Sequence, residues 1–330
     1  MALLEIRDLR VSFRTREGVI PALNGMTLSL DRGVTLGLVG ESGSGKTVTA
    51  LTVLGLTRSP TTEIAGEILL DGVDLLRLSD ADLRGVRGRR IAMVFQDPLS
   101  SLHPMRRVGW QIVEAIQAHE RVGNRAARRR AVELLRSVGI PGPEERVDAY
   151  PHELSGGMRQ RVMIAMALAF DPDLLIADEP TSALDVTVQS QILELLAQLQ
   201  EEHGMALLLV SHDLGVIAEQ ADEVAVMYAG RIVEHGPGVR CIGSPLHPYT
   251  RGLLESIPHV DGPRSERLTP IPGAPPSPVA LPAGCTFHPR CVLARASCRI
   301  EVPELTAVEP GHRIACPVVA ADVSLVTSAS

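Results

Sequence analysis

The chain has 330 residues, of which 45% are hydrophobic and 22% charged, the composition of a globular protein large enough for more than one domain. Its net charge of -7 speaks against a general nucleic-acid coat, and with aromatics at 2% the core falls to Leu, Val, Ile, Ala and Met. No apolar run reaches the roughly 18 residues of a spanning helix, and the N-terminus MALLEIRDLR, with Glu5 and Asp8 and no long apolar stretch, does not read as a secretory leader, so a cytoplasmic chain without structural disulfides is expected.

Short apolar runs alternate with helical spacing. VTLGLVG (34–40), IAMVF (91–95), LLIAD (174–178), ALLLVS (206–211) and EVAVMYAG (223–230) predict strands, most of them buried on both faces. Between them, Val108, Ile112 and Ile116 stand four apart, and Ile192, Leu195 and Leu199 share one side of a helix over 188–199. This alternation predicts an α/β fold with a mostly parallel sheet. Residues from about 97 to 155 hold no convincing strand and predict an inserted helical subdomain. Two basic runs, Arg84, Arg87, Arg89, Arg90 and Arg125, Arg128, Arg129, Arg130, predict solvated helix faces. After His235 the composition shifts. Seven prolines between 261 and 282 exclude a helix or central strand and predict an extended connector to a small cysteine-bearing cap. The expected division is therefore 1–235 for the main domain and 236–330 for a C-terminal extension.

GESGSGKT, residues 40–47, follows the first of these strands and opens a helix, the context of a phosphate-binding P-loop. Gly40, Gly43 and Gly45, with Glu41, Ser42 and Ser44 between them, let backbone N–H groups turn toward phosphate oxygens. Lys46 would reach the β- and γ-phosphates of ATP, and the Thr47 hydroxyl would ligate Mg²⁺. DLLIADEP (173–180) ends four apolar residues in paired carboxylates at a strand C-terminus, the edge where ligands sit in parallel sheets. Asp178 would hold Mg²⁺ and Glu179 would act as general base on the attacking water.

ELSGGMRQR (153–161) selects among P-loop proteins, because it resembles the signature of ABC-type ATPases, the nucleotide-binding subunits of ATP-driven transporters. Ser155, Gly156 and Gly157 precede a second helix N-terminus suited to an anion. The resemblance implies that they face the γ-phosphate of a partner protomer in a head-to-tail dimer. The commonest pattern has Gln where this chain has Met158, but the Ser-Gly-Gly is intact. By the same resemblance, Gln96 senses Mg²⁺ and contacts membrane subunits, Asp185 lies in the loop crossing the dimer interface, His212 holds the γ-phosphate, and Phe13 stacks on adenine.

FQDPLSSLHP (95–104) and SPLHPYTRGLLESIP (244–258) are similar to segments of the dipeptide, oligopeptide and nickel importer ATPases. That subgroup implies a peripheral subunit on the cytoplasmic face of the bacterial inner membrane. Its partners would be a second ATPase, usually a paralogue, two transmembrane permeases and, indirectly, a solute-binding protein. Di- or oligopeptides are the expected cargo, with nickel or another small solute as the alternative. A soluble ABC ATPase outside transport is disfavoured by the single cassette and the lack of a heptad run.

Four of the five cysteines, Cys285, Cys291, Cys298 and Cys316, stand in the tail with five, six and seventeen residues between them. Reduction in the cytoplasm argues against disulfides, and the C-x₂₋₄-C pairs of zinc sites are missing. Four thiolates also suit an iron–sulfur cluster. The extension is similar to that of some peptide-importer ATPases, which implies a [4Fe–4S] cluster here. A cap with little core would take folding energy from a metal.

Overall fold

The computed structural model describes residues 2–182, 184–256 and 270–321, which fall into two compact units. The first part of the proline-rich stretch, 261–269, lies outside them.

One unit is formed mainly by Leu30–Val34 and Leu75–Val210. Its strands Ile91–Val94, Leu174–Asp178 and Ala206–Ser211 run parallel, with Ile91 opposite Leu174 and Leu174 opposite Ala206. Every residue of the second and third strands is buried, so neither shows the alternation of a one-sided strand. Residues 98–153 form the helices Pro98–Ser101, Val108–Gln117, Asn124–Ser137 and Pro143–Arg146 and a 3₁₀ turn at Pro151–Glu153. Val108, Ile112 and Ile116 are wholly buried on the second of these helices. Gly109 lets that helix start against the backbone at Val147, where a Cβ would lie 2.6 Å from the Val147 carbonyl oxygen.

The two basic runs are not simply solvated. Arg89 and Arg130 both stack on Phe170, at 5.5 and 4.9 Å from the ring centroid. Arg90 donates to Asp173 at 2.7 Å, and Arg128 grips Asp148 through two hydrogen bonds of 2.9 and 2.6 Å. These arginines anchor turns to one another and to helix Asn124–Ser137 by cation–π and forked carboxylate contacts that periodicity does not reveal.

The other unit comprises Leu4–Ser29, Thr35–Asp74 and the described part of Ser211–Ser330. It holds an antiparallel sheet absent from the sequence expectation, in the order Gly18–Asp31, Ala2–Thr15, Thr62–Leu70, Val73–Asp74. The pairing of Ala2–Thr15 with Thr62–Leu70 slips between Arg7 and Arg10, where Asp8 takes a φ of +43°. A bulge of this kind shifts the apolar alternation by one residue and hides the strand from a period-two reading.

The unit's second set of strands pairs Thr35–Val39 parallel to Glu223–Tyr228. Arg231–Pro237 then adds antiparallel, followed by His312–Ile314 and Thr306–Glu309. Helix Leu214–Gln220 packs on the first strand at Gly37, whose Cβ would meet Ile217 at 2.4 Å. The C-terminal extension is thus attached as a hairpin on an edge strand. Beneath this hairpin Glu234 is fully buried. Its carboxylate accepts the N–H groups of Leu246 (2.8 Å) and His247 (2.9 Å) and lies 2.8 Å from His312 Nε2. Burial pushes this carboxyl up, but the hydrogen bonds of His312, Leu246 and His247 outweigh it and hold the group below its ordinary value. Residues 270–282 contain neither helix nor strand. No helix among the described residues is long and apolar enough to cross a membrane.

Candidate functional site

The glycine loop follows Thr35–Val39 and leads into helix Lys46–Val53. Gly40 has a φ of +156°, and a Cβ there would sit 2.2 Å from the Met227 carbonyl oxygen. Gly45, at φ +110°, is pressed in the same way by Ala22 and Leu23. The loop is sutured from outside as well: Gly230 N–H donates to Ser44 O at 2.8 Å, and Asn24 N–H donates to Gly230 O at 2.9 Å. Gly43 meets nothing within 4 Å, so the middle of the loop faces open space. Lys46 is buried and folds back, donating to the carbonyls of Gly40 (2.7 Å) and Glu41 (3.2 Å). The Ser44 hydroxyl is buried without a hydrogen-bond partner. Thr47 and Ser42 are exposed at the rim. A loop of inward backbone, a folded-back ammonium group and an orphan hydroxyl is chemically suited to a polyphosphate.

In the first unit, strand Leu174–Asp178 delivers Asp178, 2% exposed, at its C-terminal end. Glu179 follows with a φ of +47°, a left-handed conformation uncommon for a residue with a side chain. Its N–H donates to Val210 O at 2.9 Å, which fixes the turn, and its carboxylate accepts from Gln96 Nε2 at 2.8 Å. Two residues 83 positions apart, both predicted for the site, are therefore in contact. Strain of this kind persists where the surroundings enforce it, commonly at catalytic positions.

Ser155 caps helix Gly156–Ala167, accepting from Met158 N–H at 3.3 Å. Asp185 caps helix Val186–His203 through Val188 N–H at 3.1 Å. The two helix starts meet: a Cβ on Gly157 would lie 2.6 Å from Val188 Cγ1. In the other unit, His212 is exposed immediately after strand Ala206–Ser211, and Asp213 caps the next helix. Phe13 is half-buried near the end of Ala2–Thr15, opposite Thr62.

Sequence reasoning missed two residues at the loop. Tyr249 and Arg290, both from the extension, hydrogen-bond to Glu41. Tyr249 lies in the importer-like segment 244–258, but nothing in that segment marks a contact with the loop, and Arg290 is 249 residues from Glu41.

The four tail cysteines are free thiols lining one cavity of about 460 Å³, together with Phe287 and Val318. Cys285 N–H donates to Cys298 O at 2.9 Å, and 3₁₀ turns at His288–Arg290 and Ala296–Arg299 precede or contain further cysteines. Burial pushes the thiols of Cys285, Cys291 and Cys316 up, and the facing sulfurs push them further. Backbone hydrogen bonding at Phe287, Leu293, Val318 and Val319 opposes that rise. Among the described residues, the one group of three His, Cys, Asp or Glu ligand atoms within 4.8 Å of one another is Glu234, Cys241 and His312. No three of the tail thiols lie within 4.8 Å of one another, whereas a tetrahedral site with Zn–S bonds of about 2.3 Å would bring all four sulfurs to ~3.8 Å.

Residues 23–182 match the ABC transporter family, and residues 233–298 match the family described as the oligopeptide/dipeptide transporter C-terminal region. The chain is 50% identical over 315 residues to a probable peptide ABC transporter ATP-binding protein, y4tR, of Sinorhizobium fredii, covering 95% of this chain and 94% of that protein. It is 50% identical over 313 residues to the oligopeptide transport ATP-binding protein OppD of Bacillus subtilis, covering 94% and 87%. Among solved structures, the dimeric ATP-binding cassette MJ0796 in a post-hydrolysis state with ADP and Pi has a TM-score of 0.63 at 28% identity, over 71% of this chain and 98% of that one. CbiO1 of Clostridium perfringens, part of the cbiONQ ABC transporter complex, has a TM-score of 0.62 at 28% identity, over 74% and 91%. The glycine loop, the capped signature helix and the hairpin-anchored extension are thus those of a protein that belongs to the ABC transporter ATP-binding family, in its oligopeptide/dipeptide branch.

Proposed function

We propose that this chain is the ATP-hydrolysing subunit of an importer for di- or oligopeptides, bound peripherally at the cytoplasmic face of the bacterial cell membrane. In this reading it works with a second ATPase, a paralogue, and two permeases supplied by a solute-binding protein. Residues 1–235 are the nucleotide-binding domain, with 97–155 as its helical subdomain, and 236–330 are the extension. Lys46 leaves the carbonyls of Gly40 and Glu41 for the β- and γ-phosphates of ATP. Thr47, Gln96 and Asp178 hold Mg²⁺, Phe13 stacks on adenine, and His212 holds the γ-phosphate. Glu179 takes a proton from the attacking water. Ser155, Gly156, Gly157 and Asp185 serve the nucleotide bound by the partner ATPase.

The observation that carries the catalytic reading is the contact of Glu179 with Gln96, made at the C-terminal end of the buried strand that delivers Asp178. Peptide as cargo is supported by relatives of that description, half identical over nearly the whole chain. Uptake of a labelled peptide tests it. Cells lacking the chain should lose uptake, the wild type should restore it, and Lys46→Ala should not. Normal peptide uptake with loss of nickel uptake would transfer the assignment to the metal.

The four thiols are proposed to hold a [4Fe–4S] cluster, which supplies folding energy to a cap with little apolar core. Their shared cavity, in which no three sulfurs lie within 4.8 Å of one another, supports a cluster over a single zinc ion. Elemental analysis of anaerobically purified protein should find about four irons per chain. Stoichiometric zinc without iron would replace the cluster with a structural metal.

A further inference from the structure

Glu41 is the second residue of the glycine loop, and each of its polar groups has a partner. Its carbonyl oxygen accepts from Ser44 N–H at 3.1 Å and from Lys46 Nζ at 3.2 Å, both within the loop. Its N–H donates to the Tyr249 hydroxyl at 2.9 Å. Its carboxylate is held in a fork by Arg290, with Nη1 at 2.6 Å and Nη2 at 3.0 Å. Two of these three attachments come from the C-terminal extension.

Arg290 is built for this contact. Its side chain is 5% exposed, and its Nε–H donates to the Pro272 carbonyl at 3.0 Å. It packs beside the rings of Tyr228 and Phe287, and these two rings and Tyr249 touch one another at centroid distances of 4.6 to 5.3 Å. Three of the chain's eight aromatic residues are concentrated around this one guanidinium. A surface ion pair needs no such housing. A forked arginine–carboxylate pair is geometrically specific, and truncating Arg290 leaves the Glu41 carboxylate, 26% exposed, without its counter-charge.

The charge of Glu41 matters because of where it stands. Its carbonyl is an acceptor for Lys46, the residue assigned to the β- and γ-phosphates. An uncompensated carboxylate at that point would repel a polyphosphate through a medium of lower dielectric than water.

We propose that Arg290 is a positioning residue for nucleotide binding: by neutralising and locking Glu41, it makes the glycine loop receptive to a polyphosphate while the C-terminal extension is docked. The proposal rests on the reading of residues 40–47 as the triphosphate cradle. It gives the extension a role at the nucleotide that is independent of what the four cysteines bind.

The test measures Kd for MgATP on the purified full-length chain, by displacement of a fluorescent ATP analogue. Arg290→Met should raise Kd by about 2- to 30-fold, the range of a remote residue coupled to a site. Adding Glu41→Gln to R290M should then bring Kd back down, because the unpaired negative charge is gone. A merely structural arginine would not be rescued in this way, so a double variant no better than R290M overturns the proposal, as does an R290M with wild-type Kd. Should R290M not fold, Arg290→Lys decides, since lysine cannot hold both carboxylate oxygens: its Kd should rise, and an unchanged value overturns the positioning role. Lys46→Ala in the same assay separates the two readings. If K46A binds MgATP as the wild type does, the cradle itself is misassigned. If K46A fails to bind and R290M is unaffected, the role of Arg290 alone falls.

Discussion

The glycine loop and the cysteine-bearing extension belong to one unit and are assembled on opposite principles. Backbone places the loop: Gly40 and Gly45 accept conformations and close approaches that a Cβ would forbid, and neighbouring main chain sutures the loop through Gly230. Side chains place the extension. It has few buried apolar residues, among them Phe287, Ile314, Val318 and Val319, and it is tied down by the Glu234–His312 contact and the Arg290–Glu41 fork. A site set by backbone is rigid and confined to a short stretch of sequence. A region set by buried polar contacts is specific but depends on each partner being present.

The contrast breaks most visibly at Gly40. Gly40→Ala should cost about 4 kcal/mol of local stability, combining backbone strain with a clash against a carbonyl that has no rotamer to escape into. MgATP binding should be lost, while thiol labelling of Cys241 under the extension's hairpin stays slow. Binding retained at wild-type affinity would show that the loop is not set by its backbone.

Glu234→Ala is the corresponding cut in the extension, and about 3 kcal/mol is expected from the buried groups it leaves unpaired. The fully buried Cys241 thiol should then be labelled about a hundredfold faster, as local opening becomes easier, whereas the loop keeps its nucleotide. The same carboxylate gives the region its acid sensitivity. Its folded pKa lies below its unfolded value, so the stabilisation is fully present above the ordinary carboxylate range of about 4.3 and is lost as pH falls through the folded value. Glu234→Gln should flatten that dependence. Labelling of Cys241 that stays equally acid-sensitive in the variant would assign the effect to another group.

This contrast also decides what could be read from the sequence. The strands around LLIAD and ALLLVS, the loop at 40–47 and the helix start at Ser155 all lie within short windows, since strand burial, turn chemistry and capping act over a few residues. The antiparallel sheet was hidden by the slip at Asp8, which breaks the alternation of Ala2–Thr15. Glu234 and His312 are 78 residues apart, Glu41 and Arg290 are 249 apart, and no local pattern links either pair. The stacking of Arg89 and Arg130 on Phe170 was invisible for the same reason.

The smallest expected effect is at a cap. Asp185→Ala should destabilise the start of helix Val186–His203 by about 1 kcal/mol, the usual cost of an N-cap aspartate. Amide exchange at Val188, whose N–H it accepts, should accelerate about fivefold with little change beyond the first turn. Exchange accelerated along the whole helix would mean that Asp185 does more than cap it.

At the centre of the account is the assignment of Glu179 as the base that activates water, separate from the loop that binds the nucleotide. Single-turnover hydrolysis of MgATP by the assembled complex, measured beside MgATP affinity, addresses it most directly. Glu179→Gln keeps the size of the side chain and a hydrogen-bonding oxygen for Gln96 but cannot take the proton. It should leave affinity within about twofold while lowering the hydrolytic rate about a thousandfold. Hydrolysis by the variant at the wild-type rate would contradict the account.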